Sequence, residues 1–222
     1  MKDIGKAFGA PFKDPAWFSK FVIAAMFLLL CLIGIGIPII VGYLIQVTQR
    51  VMRREEPVLP PWSDIGIKFV IGFKFCVVYL VYFIPIIILI LPVLVIGVAS
   101  EMSDAQEMVA VVSVVYMFAF TLLIIPYSLI LTALGPIIAY RYARREKMGD
   151  AWDIAQVFRD FKSNWQNTLI VALIVVGIQS FAALGFIFFI VGIFFTIFYS
   201  YLVSAYLHGL LYLELPESGS LT

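Results

Sequence analysis

Charged residues are distributed so unevenly along this chain that the gaps between them outline its elements. Four stretches, 21–49, 75–100, 108–140 and 163–213, contain no Asp, Glu, Lys or Arg. One membrane crossing takes about 20 apolar residues as a helix. The second stretch therefore predicts one crossing, and the fourth predicts two, with a turn near Gly192. By length alone the first and third are ambiguous. Two more polar segments carry a different period. Trp62, Ile65, Phe69 and Phe73 recur at helical spacing, with Asp64 and Lys68 off that face. Trp152, Ala155, Phe158, Phe161 and Trp165 repeat the pattern, with Asp153, Arg159, Asp160 and Lys162 opposite. Such stretches, 61–73 and 151–165, are too polar to span and predict short amphipathic helices lying in the membrane interface. A cytoplasmic helix packed on protein is the other reading.

The sign of the charges resolves the ambiguous stretches. Lys2, Lys6, Lys13 and Lys20 precede the first, and Arg50, Arg53 and Arg54 follow it. Arg141, Arg144, Arg145 and Lys147 follow the third, whereas residues 100–107 carry Glu101, Asp104 and Glu107 and no Lys or Arg. Cytoplasmic loops collect Lys and Arg. The N-terminus and the loops 50–74 and 141–162 are thus expected inside, and 100–107 outside.

The first stretch must then cross twice. Asp14-Pro15 starts a helix over about 15–33, with Asp as cap and Pro in the first turn. Gly34-Ile35-Gly36 makes the outer turn, and a second helix covers about 37–54. The expected fold is an all-α polytopic transmembrane helix bundle of about six membrane helices, both ends cytoplasmic, with two short interfacial amphipathic helices. The competing count is five, with one kinked helix over 15–50. A cytoplasmic or interfacial segment 1–14, a single transmembrane domain 15–213 and a short cytoplasmic tail 214–222 make up the chain. The first apolar stretch is long and ends in no small-residue cleavage signature, so it is expected to be retained rather than removed as a signal peptide.

A weak internal repeat emerges from the same landmarks. Pro38-Ile39-Ile40, Tyr43, the Arg50/Arg53/Arg54 cluster and Trp62-Ser63-Asp64-Ile65 are echoed by Pro136-Ile137-Ile138, Tyr140, the Arg141/Arg144/Arg145 cluster and Trp152-Asp153-Ile154. The repeat-like halves cover about 35–100 and 130–192. Both run in the same direction, so the repeat is parallel, about an axis along the membrane normal.

Composition closes off other classes. The chain is 63% hydrophobic and 13% charged, against about 45–50% and 25% for soluble domains. A water-soluble globule and a disordered chain are both excluded. The net charge of +1 offers no basic excess for nucleic acid. Cys31 and Cys76 show no paired spacing and read as small buried hydrophobes. Intramembrane charges mark proton relays and ion-coupled transport, and the four stretches have none. Nucleotide-binding, zinc-protease and hydrolase motifs are absent. No enzymatic chemistry, cofactor or metal is expected.

The remaining candidates are residues for lipid contact and helix packing. Trp17, Lys20, Arg50, Arg53, Arg54, Trp62, Arg141, Arg144, Arg145, Trp152 and His208 are placed at the lipid interface. His208 is the sole histidine and has no evident second ligand, so it reads as a packed or interfacial side chain near the end of the last helix. Ser200 with Ser204, and Ala205 with Gly209, are small pairs at four-residue spacing that let helices approach. Gln179 is costly to bury unpaired and is expected to find a partner across the bundle or in another subunit. Pro38, Pro85, Pro92, Pro126 and Pro136 fall in apolar helices and bend them.

Several of these landmarks carry a resemblance. Phe12, Asp14-Pro15, Trp17 and Lys20, then Gly42-Tyr43 ahead of an Arg cluster, then Leu59-Pro60-Pro61-Trp62-Ser63-Asp64 resemble domain of unknown function 4013. That family usually reads Leu-Pro-Glu-Trp-x-Asp, and Pro61 replaces its acid. The stretch from Gly192-Ile193-Phe194-Phe195-Thr196 to Ala205-Tyr206-Leu207-His208-Gly209 is similar to its closing helix, although the family more often has His two places earlier and Gln after Gly. The resemblance implies a multi-pass bacterial or archaeal membrane protein and no known chemistry, and the expected location is the cell (inner or plasma) membrane. The function expected from the residues is a scaffold or accessory subunit that binds lipids, other membrane proteins or copies of itself. The alternative is a permease or channel for a small neutral solute.

Overall fold

The structure is a computed structural model that describes residues 4–102, 106–182 and 189–215. The described residues are helical and contain no strand. In chain order the α-helices are α1 (Ile4–Gly9), α2 (Trp17–Leu30), α3 (Gly36–Met52), α4 (Ile65–Met102), α5 (Gln106–Arg145), α6 (Met148–Trp152), α7 (Ile154–Ser163), α8 (Trp165–Ala182) and α9 (Phe189–Leu213). Short 3-10 segments, Ala10–Lys13 and Cys31–Ile33, follow α1 and α2. Four of the described helices are long and apolar enough to cross a membrane: those running through Ile65–Val98, Glu107–Arg145, Trp165–Ala182 and Gly192–Leu213. A fifth crossing is reached if Ile4–Lys13 and Trp17–Ile33, bent by 94°, count as one broken span.

The first apolar stretch is two helices and not one kinked rod. Gly34 takes φ +84° and its N–H bonds the Cys31 carbonyl at 3.0 Å. That left-handed conformation suits glycine, which has no Cβ to clash. The chain turns back so tightly that a Cβ on Gly36 would strike the Phe27 carbonyl. The helix at Asp14 begins later than its sequence suggests. Asp14 Oδ1 accepts from Ala16 N–H at 2.8 Å, and its carbonyl accepts from Trp17 N–H at 3.0 Å, so Asp14 closes the turn before α2.

Two expectations are corrected. Residues 65–73 are not a separate interfacial helix but the opening turns of α4, which runs on for 38 residues. No residue with a strong helix-stopping preference lies between them and Pro85, and the apolar positions Ile65, Phe69 and Phe73 are exposed while Lys68 is buried at 2%. Polar-in and apolar-out suits a helix whose outer face meets lipid. The second segment, expected over 151–165, is divided: Trp152 ends α6, α7 covers Ile154–Ser163 and Trp165 opens α8, and Asp153 caps α7 by accepting from Gln156 N–H at 3.0 Å. Gly192, expected at a turn, lies inside α9, which begins at Phe189. The connecting residues 183–188, Asp104 of the acidic loop and the tail from 216 lie outside the described residues.

The chain divides into two compact units, Met1–Val78 with Ala133–Thr222, and Tyr79–Thr132. The first is built on α3 and α9, which pack along each other and against α2, α8 and α1. Its core joins Phe21, Ala24, Ile40, Tyr43, Val47, Leu59, Phe198, Leu202 and Ala205. Glycines set the closest crossings. A Cβ on Gly72 of α4 would strike the Pro38 carbonyl of α3, one on Gly42 would strike the Lys68 carbonyl, and one on Gly209 would meet Val51 Cβ at 2.7 Å. The second unit pairs the later part of α4 with the earlier part of α5. Tyr116 Oη donates to the Leu89 carbonyl and Tyr127 Oη to the Tyr82 carbonyl. Its outward side chains are apolar and exposed, Leu80, Ile88, Val95, Val114, Phe118 and Leu122 among them.

Candidate functional site

Two polar centres stand out within the first unit. One holds the fold, and the other lines a cavity. The holding centre gathers residues from the N-terminal turn, α2, α3 and the loop before α4. Lys20 Nζ donates to Asp14 Oδ2 at 2.6 Å and to the Leu59 carbonyl at 2.8 Å. Trp62 Nε1 donates to the Lys20 carbonyl at 3.0 Å, and its ring stacks on Tyr43 at 4.1 Å and on Phe27 at 5.1 Å. Trp17 meets Phe12, Phe18 and Phe21 edge-on. Residues spread from Phe12 to Trp62 in the sequence thus converge in space. Asp14, Lys20 and the Trp62 indole spend their donors and acceptors here and anchor the loop, while Tyr43 Oη is buried beside them without a hydrogen-bond partner.

The second centre lies where α5 ends, α6 and α7 follow, and α9 ends. A cavity of about 500 Å³ is lined by Tyr140, Arg141, Arg144, Arg145, Asp150, Asp153, Gln156, Arg159, Asp160 and Tyr212. Arg141 forms the fixed wall. Its Nε donates to the Asp150 carbonyl at 2.7 Å, one terminal nitrogen to Asp160 Oδ2 at 2.7 Å and the other to Gln156 Oε1 at 3.0 Å. Tyr140 Oη also donates to Asp160 Oδ2, at 2.9 Å. Arg144 differs: its guanidinium lies 5.9 Å from the Tyr212 ring centroid, a cation–π distance. Arg144 Nε and Tyr212 Oη are both buried without a hydrogen-bond partner. Arg145 and Arg159 are exposed at the same cavity.

The first arginine cluster is wired differently. Arg50 donates to the Pro57 carbonyl at 2.7 Å and lies 3.9 Å from Glu55, and Arg53 lies 3.8 Å from the same carboxylate. Arg54, two residues past the end of α3, takes φ 55°. Trp152 Nε1 contacts the Val78 carbonyl at 3.4 Å. His208 is half-buried on α9, and among the described residues no group of three His, Cys, Asp or Glu could hold a metal. Ser200 and Ser204 are buried and donate to the Ile197 and Ser200 carbonyls of their own helix, at 2.7 and 2.8 Å. Gln179 is exposed on α8. Sequence reasoning had singled out Arg141, Arg144 and Arg145 but not Asp150, Gln156 or Tyr212. The available signal was on α7, where Gln156, Arg159, Asp160 and Ser163 fall on one face at three- and four-residue spacing.

A family model described as protein of unknown function (DUF4013) matches residues 25–195. The Gly42-Tyr43 and Leu59–Asp64 landmarks fall inside that match, whereas Phe12 to Lys20 and the end of α9 fall outside it. No curated protein and no solved structure matches the chain.

Proposed function

The chain belongs to the DUF4013 family of proteins of unknown function, and from that premise we propose that it is a multi-pass inner-membrane scaffold or accessory subunit without enzymatic chemistry. In this reading α2 and α3 cross as a pair, which gives six crossings with both ends cytoplasmic, and α7 lies in the interface. The observation that carries it is the second unit. Its outward positions present Leu, Ile, Val and Phe and no charge from Tyr79 to Val98 and from Met108 to Thr132. Such a surface is stable only against lipid tails or apolar helices of a partner.

The hydroxyls favour this reading over a solute path. Thr121 donates to the Met117 carbonyl at 2.8 Å and Ser128 to the Ile125 carbonyl at 2.8 Å, each within its own helix. Ser200 and Ser204 are likewise spent on α9. A path for a neutral polar solute needs such groups turned toward a common cavity. Native mass spectrometry of gently extracted protein tests the proposal. A defined complex of fixed stoichiometry, dissociated by Phe118→Asp or Leu122→Asp, is the expected result. A lone monomer that conducts a neutral solute across liposomes would overturn it.

A further inference from the structure

The two arginine clusters have the same sequence pattern, Arg-x-x-Arg-Arg-Glu, at 50–55 and 141–146. Their electrostatics differ because their glutamates do. Glu55 turns back on its own cluster, 3.9 Å from Arg50 and 3.8 Å from Arg53. Glu146 faces away. Its Oε1 accepts from Gln49 Nε2 of α3 at 2.9 Å, while the same nitrogen reaches the Ala143 carbonyl at 3.0 Å. The second cluster is thereby left without its internal carboxylate. Asp160 is taken by Arg141 and Tyr140, and Asp153 Oδ1 by the cap of α7. Among the described residues, Arg144, Arg145 and Arg159 are in no ion pair, and the cavity wall as a whole keeps one positive charge in excess. Two buried donors at that wall, Arg144 Nε and the Tyr212 hydroxyl, lack acceptors. A buried donor without an acceptor costs free energy that a ligand oxygen would recover.

We propose that the cavity at Arg144, Arg145, Arg159 and Tyr212 binds a phosphate-bearing ligand, with these side chains donating to the phosphoryl oxygens and the Arg141–Asp160 pair holding the wall in shape. Guanidinium groups match phosphate geometry with paired donors, and several around one anion give charge-assisted bonds. The volume, about 500 Å³, admits a phospholipid headgroup as readily as a free phosphate ester. Its position suits the headgroup. The cavity is lined by the end of the Glu107–Arg145 span and by Tyr212, one residue from the end of the Gly192–Leu213 span, and its arginines begin where the uncharged run 108–140 stops, the boundary at which Lys and Arg collect. The site is independent of the scaffold reading: a failure to bind phosphate leaves the stoichiometry of the protein complex untouched, and the reverse holds too.

The test is a native mass spectrometry titration of the whole protein in detergent with dioleoylphosphatidylglycerol, with competition by sn-glycerol 1-phosphate and by inorganic phosphate. Wild type is expected to hold one lipid tightly. Arg144→Gln and Arg159→Gln each weaken that binding about tenfold, the loss of one charge-assisted hydrogen bond. Arg53→Gln, in the internally paired cluster, leaves it unchanged. Displacement by glycerol phosphate at concentrations comparable to the lipid identifies a soluble phosphate ester as the ligand, and resistance to it identifies the lipid. Either outcome supports the site. Arg159 is exposed, so Arg159→Gln is expected to keep the wild-type thermal unfolding profile and remains informative should Arg144→Gln fail to fold. Equal binding by wild type and Arg159→Gln, or an equal loss in Arg53→Gln, overturns the proposal.

Discussion

Asp14 and Lys20 form an ion pair at 2.6 Å whose side chains are only 4% and 13% exposed. Buried pairs contribute little over apolar replacements, but removing one partner strands a buried charge. Lys20→Met is therefore expected to destabilise by about 3 kcal/mol. The double change Asp14→Asn with Lys20→Met should cost clearly less than the sum of the two single ones. Chemical unfolding in mixed micelles measures both, and simple additivity would refute the coupling. Glycines give a second contrast at this scale. Gly72→Val places its new atoms against the Pro38 carbonyl, which is backbone and cannot turn aside. A loss of about 3 kcal/mol, the upper end for overpacking, is expected. Gly177 of α8 has nothing within 4 Å of a built Cβ, so Gly177→Ala should gain up to about 1 kcal/mol from helix propensity. Both glycines look alike in an apolar sequence, and only the crossing helix distinguishes them.

At the scale of elements, helix ends explain more than helix interiors. Just past α3, Arg54 takes φ 55°, and just past α5, Glu146 takes φ 53°. Left-handed ends favour glycine. Arg54→Gly is expected to raise stability by about 1 kcal/mol, read from the same unfolding curves; a loss would show that the arginine side chain holds this end. At the other kind of terminus, Asp153→Ala should cost about 1 kcal/mol through the lost cap. Faster amide exchange confined to the first turn of α7 is the signature to seek. The apolar period marked helix in both segments but not the buried face: in α7 Phe158 is exposed and Val157 is buried. Amphipathicity reports a polar and an apolar face without stating which one meets solvent. In α4 the apolar face of Ile65, Phe69 and Phe73 points outward and Lys68 points in, with Nζ donating to the Ser63 carbonyl.

For the whole molecule, the proposed topology makes a sharp statement about sidedness. Single cysteines at Gln106 and Gly149 in a background lacking Cys31 and Cys76 are expected to react with an impermeant thiol reagent from opposite sides of the membrane. Labelling of both from one side would refute the six-crossing arrangement. Gln106 opens α5 and Gly149 lies in α6, just past its Arg-rich end, so one long helix separates the two positions.

Composition and the spacing of charges were sufficient to establish an all-helical chain with several helices able to cross a membrane, and to locate the first helical pair, because transfer of charge into lipid is costly enough to be written directly into sequence. The landmark residues at 12–20, 42–43 and 59–64 were also visible one by one. Their convergence on Lys20 was not, since a lysine held by Asp14 and the Leu59 carbonyl reads, in sequence, as an interfacial lysine. The difference between the arginine clusters was equally hidden. Both read Arg-x-x-Arg-Arg-Glu, and the direction each glutamate takes depends on what lies beside it. Glu146 is drawn away by Gln49, a residue 97 positions distant in the chain. Hydrophobic patterning fixes which segments enter the membrane because that energy is summed over many residues. Which polar group partners which is decided by single contacts of a few ångströms, and those exist only once the helices have packed.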